Sequence, residues 1–110
     1  MNYKIKVYRH FEKEVKKLSK RYKSLKQDLT ILAAELMQNP DMGTDLGNGL
    51  HKVRMSIASK GKGKARVITL IATLSKEEKE IGLHFIYDKS ERENITDKEL
   101  QAVLKDNGII

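Results

Sequence analysis

Apolar and polar positions along this chain alternate in two different periods, and the places where the period changes mark its elements. Tyr3, Ile5 and Val7 alternate with Lys4 and Lys6 between Tyr3 and Tyr8, the period of two expected of a half-exposed strand. Its lysines suit a sheet edge, where charge discourages pairing with another chain. Phe11, Val15, Leu18 and Tyr22 then recur at helical spacing, with Lys13, Lys16, Lys17, Lys20 and Arg21 on the other faces; this predicts a basic amphipathic helix. Ser24 with Gln27 three residues on fits a capping box ahead of Leu25, Leu29, Leu32 and Leu36, so a second helix is predicted there. Asn39-Pro40 ends it, because the residue before proline avoids the α region and proline has no N–H to donate. Ile31 falls opposite the leucine stripe, an exposed apolar position open to a partner.

Asp41 to Gly49 (D-M-G-T-D-L-G-N-G) reads as a glycine-rich connection. It is not a phosphate-binding loop, which needs a lysine and a Ser or Thr after its last glycine and then a helix. Val53, Met55 and Ile57 alternate with Lys52, Arg54 and Ser56, predicting a strand whose wet face carries Lys52 and Arg54 together. The glycines of S-K-G-K-G-K permit the positive φ of a hairpin loop, and Arg66 to Leu74 is apolar and β-branched enough for an interior strand. Ser75 to Glu80 is a charged turn, and Ile81 to Asp88 is another interior strand, apolar on both faces. Thr96 and Glu99 form a second capping box, with Ile95 and Leu100 as its hydrophobic staple; Val103 and Leu104 complete the stripe and Asn107-Gly108 ends the helix. The order β-α-α-β-β-β-α predicts an α+β fold. In it a small, antiparallel-rich sheet carries the two N-terminal helices on one face and leaves the other to display Lys52 and Arg54.

Composition narrows the setting. The 110 residues suffice for a single domain, 1–110. With no cysteine, neither a disulfide framework nor a thiolate metal site is available. The first residues lack the apolar core of a secretion signal and no run reaches the length of a membrane span. A cytoplasmic protein with no membrane partner is expected. The net charge of +7 is unevenly spread: residues 1–26 and 50–67 are strongly basic, whereas 27–49 and 75–110 are acidic. Such a distribution suits a protein that binds a polyanion on part of its surface.

The hairpin concentrates that charge, with Lys52, Arg54, Lys60, Lys62, Lys64 and Arg66 and no acidic residue between Leu50 and Val67. His10, His51 and His84 are far apart and unpaired with carboxylates at ligand spacing, so a metal hydrolase is poorly motivated and His51 and His84 read as structural. Nucleophilic acyl chemistry lacks a cysteine and a G-x-S-x-G serine. Phosphate chemistry without a metal or other cofactor remains.

The K-V-R strand, the glycine-lysine hairpin leading into A-R-V-I, and the ending F-I-Y-D-K-S-E-R-E-N-I-T-D-K-E-L together resemble the RelE/ParE superfamily of bacterial type II toxins, nearest its RelE/HigB-like branch. The resemblance covers nearly the whole chain and is strongest from Leu50 to Leu104. It implies a RelE-like fold and a ribosome-dependent messenger RNA endoribonuclease, silenced by a cognate antitoxin through which its oligomers form. In this family basic side chains, often with a tyrosine, promote attack of a ribose 2′-hydroxyl on the adjacent phosphate. By the same resemblance Lys52 would help deprotonate that hydroxyl, and Arg54 and Arg66 would stabilise charge on the phosphate. Tyr87 and Lys89 would complete the catalytic group, and Lys60, Lys62 and Lys64 would bind RNA. The hairpin departs from similar sequences in lacking further glycines before A-R-V, and no segment with an obvious catalytic residue follows the last helix. Two other readings stand beside this one. A ParE-like gyrase inhibitor would bind protein and cut no RNA; the K-V-R strand with Arg66 favours RelE. A non-catalytic RNA-binding module would want more stacking aromatics than Tyr3, Tyr8, Tyr22, Tyr87, Phe11 and Phe85.

Overall fold

The computed structural model describes residues 3–57, 66–89, 91 and 95–109, with the side chain of Arg66 outside that set. Along it run β1 (Lys4–Val7), α1 (Arg9–Ser19), α2 (Leu25–Gln38), β2 (Thr44–Gly47), β3 (Leu50–Ile57), β4 (Arg66–Ser75), β5 (Glu80–Asp88) and α3 (Asp97–Asp106). The strands form one five-stranded sheet in the order β1-β5-β4-β3-β2. β2 to β5 are antiparallel neighbours, and β1 lies parallel to β5.

The order matches the sequence reading except for β2, which lies within the stretch read as a connection. Asn48-Gly49 makes the difference: both residues have positive φ (54° and 79°), as a two-residue type I′ hairpin turn requires. That turn folds Thr44–Gly47 back onto the start of β3, pairing Gly47 with Leu50 and Thr44 with Lys52. Gly43 is needed at the entry, since its φ is +89° and an added Cβ would press on the carbonyl oxygen of Lys52.

Burial alternates along β3, with His51, Val53, Met55 and Ile57 buried. Val53, Met55 and Ile57 join Ile68, Leu70 and Ala72 of β4 and Ile81, Leu83 and Ile86 of β5 in the main core. Phe11 and Leu18 of α1 and Leu25, Leu32 and Leu36 of α2 close it from one side. The helices pack on that face because their apolar stripes would otherwise remain in water, at about 1.5–3 kcal/mol per large side chain.

The opposite face is not left wholly open, as the sequence reading had it. Ile71, Phe85 and Tyr87 form a second cluster there with Val103 of α3, flanked by Leu50, Ile95 and Leu100. The expected capping box holds α3: Glu99 N–H donates to Thr96 Oγ1 (3.1 Å) and Thr96 N–H to Glu99 Oε1 (3.2 Å). At α2 the corresponding box does not form. Ser24 has α-helical backbone angles and makes no cap bond; its hydroxyl donates instead to Asp28 Oδ2 at 2.7 Å.

A bulge in β5 explains how both faces of that strand are apolar. Ile71 pairs with Phe85 and Ala72 with Leu83, leaving His84 as the extra residue. The parity shift lets Ile81, Leu83 and Ile86 share one face. The His84 ring is fully buried, stacked on Tyr8 at 4.4 Å and bracketed by Thr73 Oγ1 (2.7 Å) and Asn107 Nδ2 (2.8 Å). It ties the junction of β1 and α1, β4 and the end of α3 together, the structural part its sequence setting suggested.

Candidate anion-binding face

The antiparallel register of β3, β4 and β5 decides which candidate residues share a surface, because directly opposed residues lie on the same side of a sheet. Lys52 stands opposite Ile71, which stands opposite Phe85; Arg54 stands opposite Thr69, which stands opposite Tyr87. The next row holds Ser56 and Val67, and Lys89 continues it by donating its N–H to the carbonyl oxygen of Val67 (3.3 Å). Lys52, Arg54, Tyr87 and Lys89 therefore fall in three adjacent rows on the α3 side of the sheet.

They differ in access. Arg54 and Lys89 are exposed and Lys52 is half-buried, whereas Tyr87 is only 4% exposed, edge-on to Phe85 in the second cluster. Tyr87 is thus floor and the cations are rim. Arg66 pairs with Ile57, three positions along β4 from Thr69, so its backbone falls in the row parity of Ile57 rather than that of Arg54. Lys60, Lys62 and Lys64 lie outside the described residues.

Arg54 also borders a cleft of about 270 Å³ between β3 and α2, lined by Asp28, Ile31, Leu32, Glu35, Met42 and Met55 among others. β2 pairs with β3 only from Leu50 to Lys52, so α2 flanks the later part of β3. Ile31, singled out in the sequence as exposed, is 54% exposed in this cleft. The acidic segment thus borders the cationic rows directly.

Two polar features had no sequence counterpart. Asp88, between Tyr87 and Lys89, is 2% exposed on the helix side. Its Oδ2 accepts a hydrogen bond from the Tyr22 hydroxyl and lies 3.9 Å from Arg21, which also pairs with Glu91. This network fastens the joint between α1 and α2 to the end of β5. The second is Thr69, with 0% exposure and an Oγ1 that meets no hydrogen-bond partner among the described residues. An unpaired buried hydroxyl costs about 1–3 kcal/mol. Its sequence signal is slight: a threonine in the apolar run R-V-I-T-L-I.

A two-helix layer on one side of a mixed sheet, with Lys52, Arg54 and Lys89 on the other, defines a small α+β protein. The model of the family described as the RelE toxin of the RelE/RelB toxin-antitoxin system matches residues 4–108. The chain belongs to this RelE toxin family, named for the toxin of a toxin-antitoxin pair. Among solved structures it is similar to the E. coli toxin RelE in its free state, as a mutant with two arginines changed to alanine. The two share 14% identity and a TM-score of 0.60, over 84% of this chain and 90% of that one; the likeness is one of fold. No curated protein matches the sequence. Among the described residues no helix is long and apolar enough to cross a membrane.

Proposed function

We propose that this toxin arrests translation by cutting messenger RNA on the ribosome, through attack of a ribose 2′-hydroxyl on the adjacent phosphate. The observation that carries the reading is the grouping of Lys52, Arg54 and Lys89 at the rim of one sheet face, over the row that holds Tyr87. In the reaction the 2′-oxygen bonds to phosphorus and the 5′-oxygen leaves. The 2′-hydroxyl gives up its proton and the leaving oxygen gains one, so the products are a 2′,3′-cyclic phosphate and a 5′-hydroxyl. Lys52 assists removal of the proton. Arg54 faces the phosphate, where a planar and permanently charged guanidinium matches the oxygens on which charge grows. Lys89 and, from the hairpin, Lys60, Lys62 and Lys64 hold the RNA backbone, while Tyr87 packs in the row of Arg54 and Thr69. Cations alone are modest catalysts, and RNA held in register by the ribosome supplies the missing orientation. A cognate antitoxin with an acidic amphipathic segment inhibits by covering this rim, with exposed Ile31 beside it as an apolar foothold.

Cell-free translation tests the reading. The protein should stop synthesis and leave messenger cut within the ribosomal A site with the ends given above, and a 2′-deoxy substitution at the cut should abolish cleavage. Arg54→Ala should slow cleavage by about a hundredfold, in the range found for loss of one transition-state donor, with little loss of ribosome binding. Inhibited gyrase with intact messenger would overturn the assignment, and arrest with uncut messenger would remove the chemistry from it.

A further inference from the structure

We propose that Thr69 is a positioning residue for Arg54, its buried hydroxyl held ready to accept a guanidinium N–H when a phosphate draws the arginine onto the sheet. The inference deepens the RNA-cleaving reading of this face and rests on it. Thr69 lies between Arg54 and Tyr87 in one cross-strand row. It is the fully buried member of that row, and its Oγ1 has no hydrogen-bond partner among the described residues. The side chain of Arg54, its direct neighbour on β3, makes no hydrogen bond or ion pair among them either. An acceptor without a donor thus stands beside a group with five donors and no acceptor of its own.

Their separation in the free protein follows from hydration. Arg54 is exposed, and water satisfies a guanidinium at the surface better than one buried hydroxyl does. A phosphate changes the balance: it takes two N–H groups of the fork and excludes water, leaving the inward edge of the guanidinium to find an acceptor below. Thr69 Oγ1 is the polar side-chain atom at the adjoining row position. By accepting there it fixes the plane of the fork, which decides whether both N–H groups meet the phosphate oxygens as charge develops. Valine has the same shape as threonine without the hydroxyl, so the fold alone gains nothing from this oxygen.

The test separates this part from a structural one. Thr69→Val should leave thermal stability unchanged or raise it, because an unpaired polar atom is removed from the interior. In ribosomal cleavage it should lower the maximal rate about tenfold, as loss of one hydrogen bond to a charged group does, with the concentration for half-maximal rate nearly unchanged. Thr69→Ser, which keeps the hydroxyl, should restore most of the rate, and in an Arg54→Ala background Thr69→Val should have no further effect. A wild-type rate for Thr69→Val, or an equal loss with and without Arg54, overturns the proposal. A wild-type protein that cuts no messenger overturns the functional reading instead. Thr69 is then judged by proton exchange at Arg54 Nε in the isolated protein with excess uncleavable 2′-deoxy oligonucleotide. Protection that disappears in Thr69→Val supports the pairing, and equal exchange in both proteins refutes it.

Discussion

Lowering the pH from 7 to 5 should weaken this fold by about 2 kcal/mol through one side chain, His84. Its neutral form is the one the structure accommodates. Asn107 Nδ2 donates to Nδ1, so the ring proton sits on Nε2 and is donated to Thr73 Oγ1. A second proton on Nδ1 would face the amide donor instead of an acceptor. Burial of the ring opposes that proton first, and the positive charge of Lys6, whose Nζ lies 4.9 Å from the centre of the Tyr8 ring, opposes it second. Together they lower the His84 pKa from 6.5 to about 4.

The sign follows from which state binds protons. Above pH 6.5 His84 is neutral folded or unfolded, and its contribution is fully present. Between 6.5 and about 4 the unfolded chain takes up a proton that the folded chain refuses, so stability falls by up to about 1.4 kcal/mol per pH unit. The whole window amounts to about 3 kcal/mol, and roughly 2 of it should be gone at pH 5. Urea unfolding at pH 7, 6 and 5 measures the loss. His84→Gln supplies the control, because glutamine can donate to Thr73 and accept from Asn107 without titrating, so every other group contributes equally to both slopes. Identical pH slopes for the two proteins would refute the argument.

Tyr22→Phe removes a donor from the buried Asp88 carboxylate and should cost about 1.5–3 kcal/mol; scanning calorimetry should show a melting temperature lower by roughly 4 °C per kcal/mol. Gly82→Ala would place a Cβ 2.7 Å from Thr73 Oγ1 and 2.8 Å from His84 Nε2, so a loss of about 1–3 kcal/mol is expected in urea titration, unlike the near-neutral outcome at an open site. Thr96→Ala dismantles the capping box of α3 and should cost about 1 kcal/mol, with amide exchange quickening first at Glu99, whose N–H loses the Thr96 hydroxyl.

The legible parts of this fold were those written in local periodicity. The two-residue alternation of β3 correctly put Val53, Met55 and Ile57 in the core and Lys52 and Arg54 outside it, because one face of that strand meets water and the other meets helices. The Thr96 box was legible because it lies within four consecutive residues. β2 was missed although Asn48-Gly49 is a strong turn signal: all four of its residues are exposed, so no apolar alternation advertised a strand, and its glycines drew comparison with a phosphate-binding loop. Ser24 carries the right residue types for a cap, but its backbone is already helical, and side-chain chemistry without the extended φ and ψ makes no cap bond.

What stayed hidden in the site has one cause, register. Arg54 and Tyr87 look unrelated in sequence until two antiparallel pairings align them through Thr69, and a one-residue slip of β4 would have placed another side chain between them. The His84 bulge is a shift of that kind in β5: it changes the facing of every residue after it relative to Leu83, so Tyr87 lies on the α3 side and Asp88 on the helix side. Asp88 then reaches Tyr22, 66 residues away in the chain. The bulge that buries a histidine midway along β5 thus brings Tyr87 into the row of Arg54 and Thr69 and anchors its neighbour to the helices. The cations of the rim can be read one residue at a time, whereas the row that orients them exists only once the strands have paired.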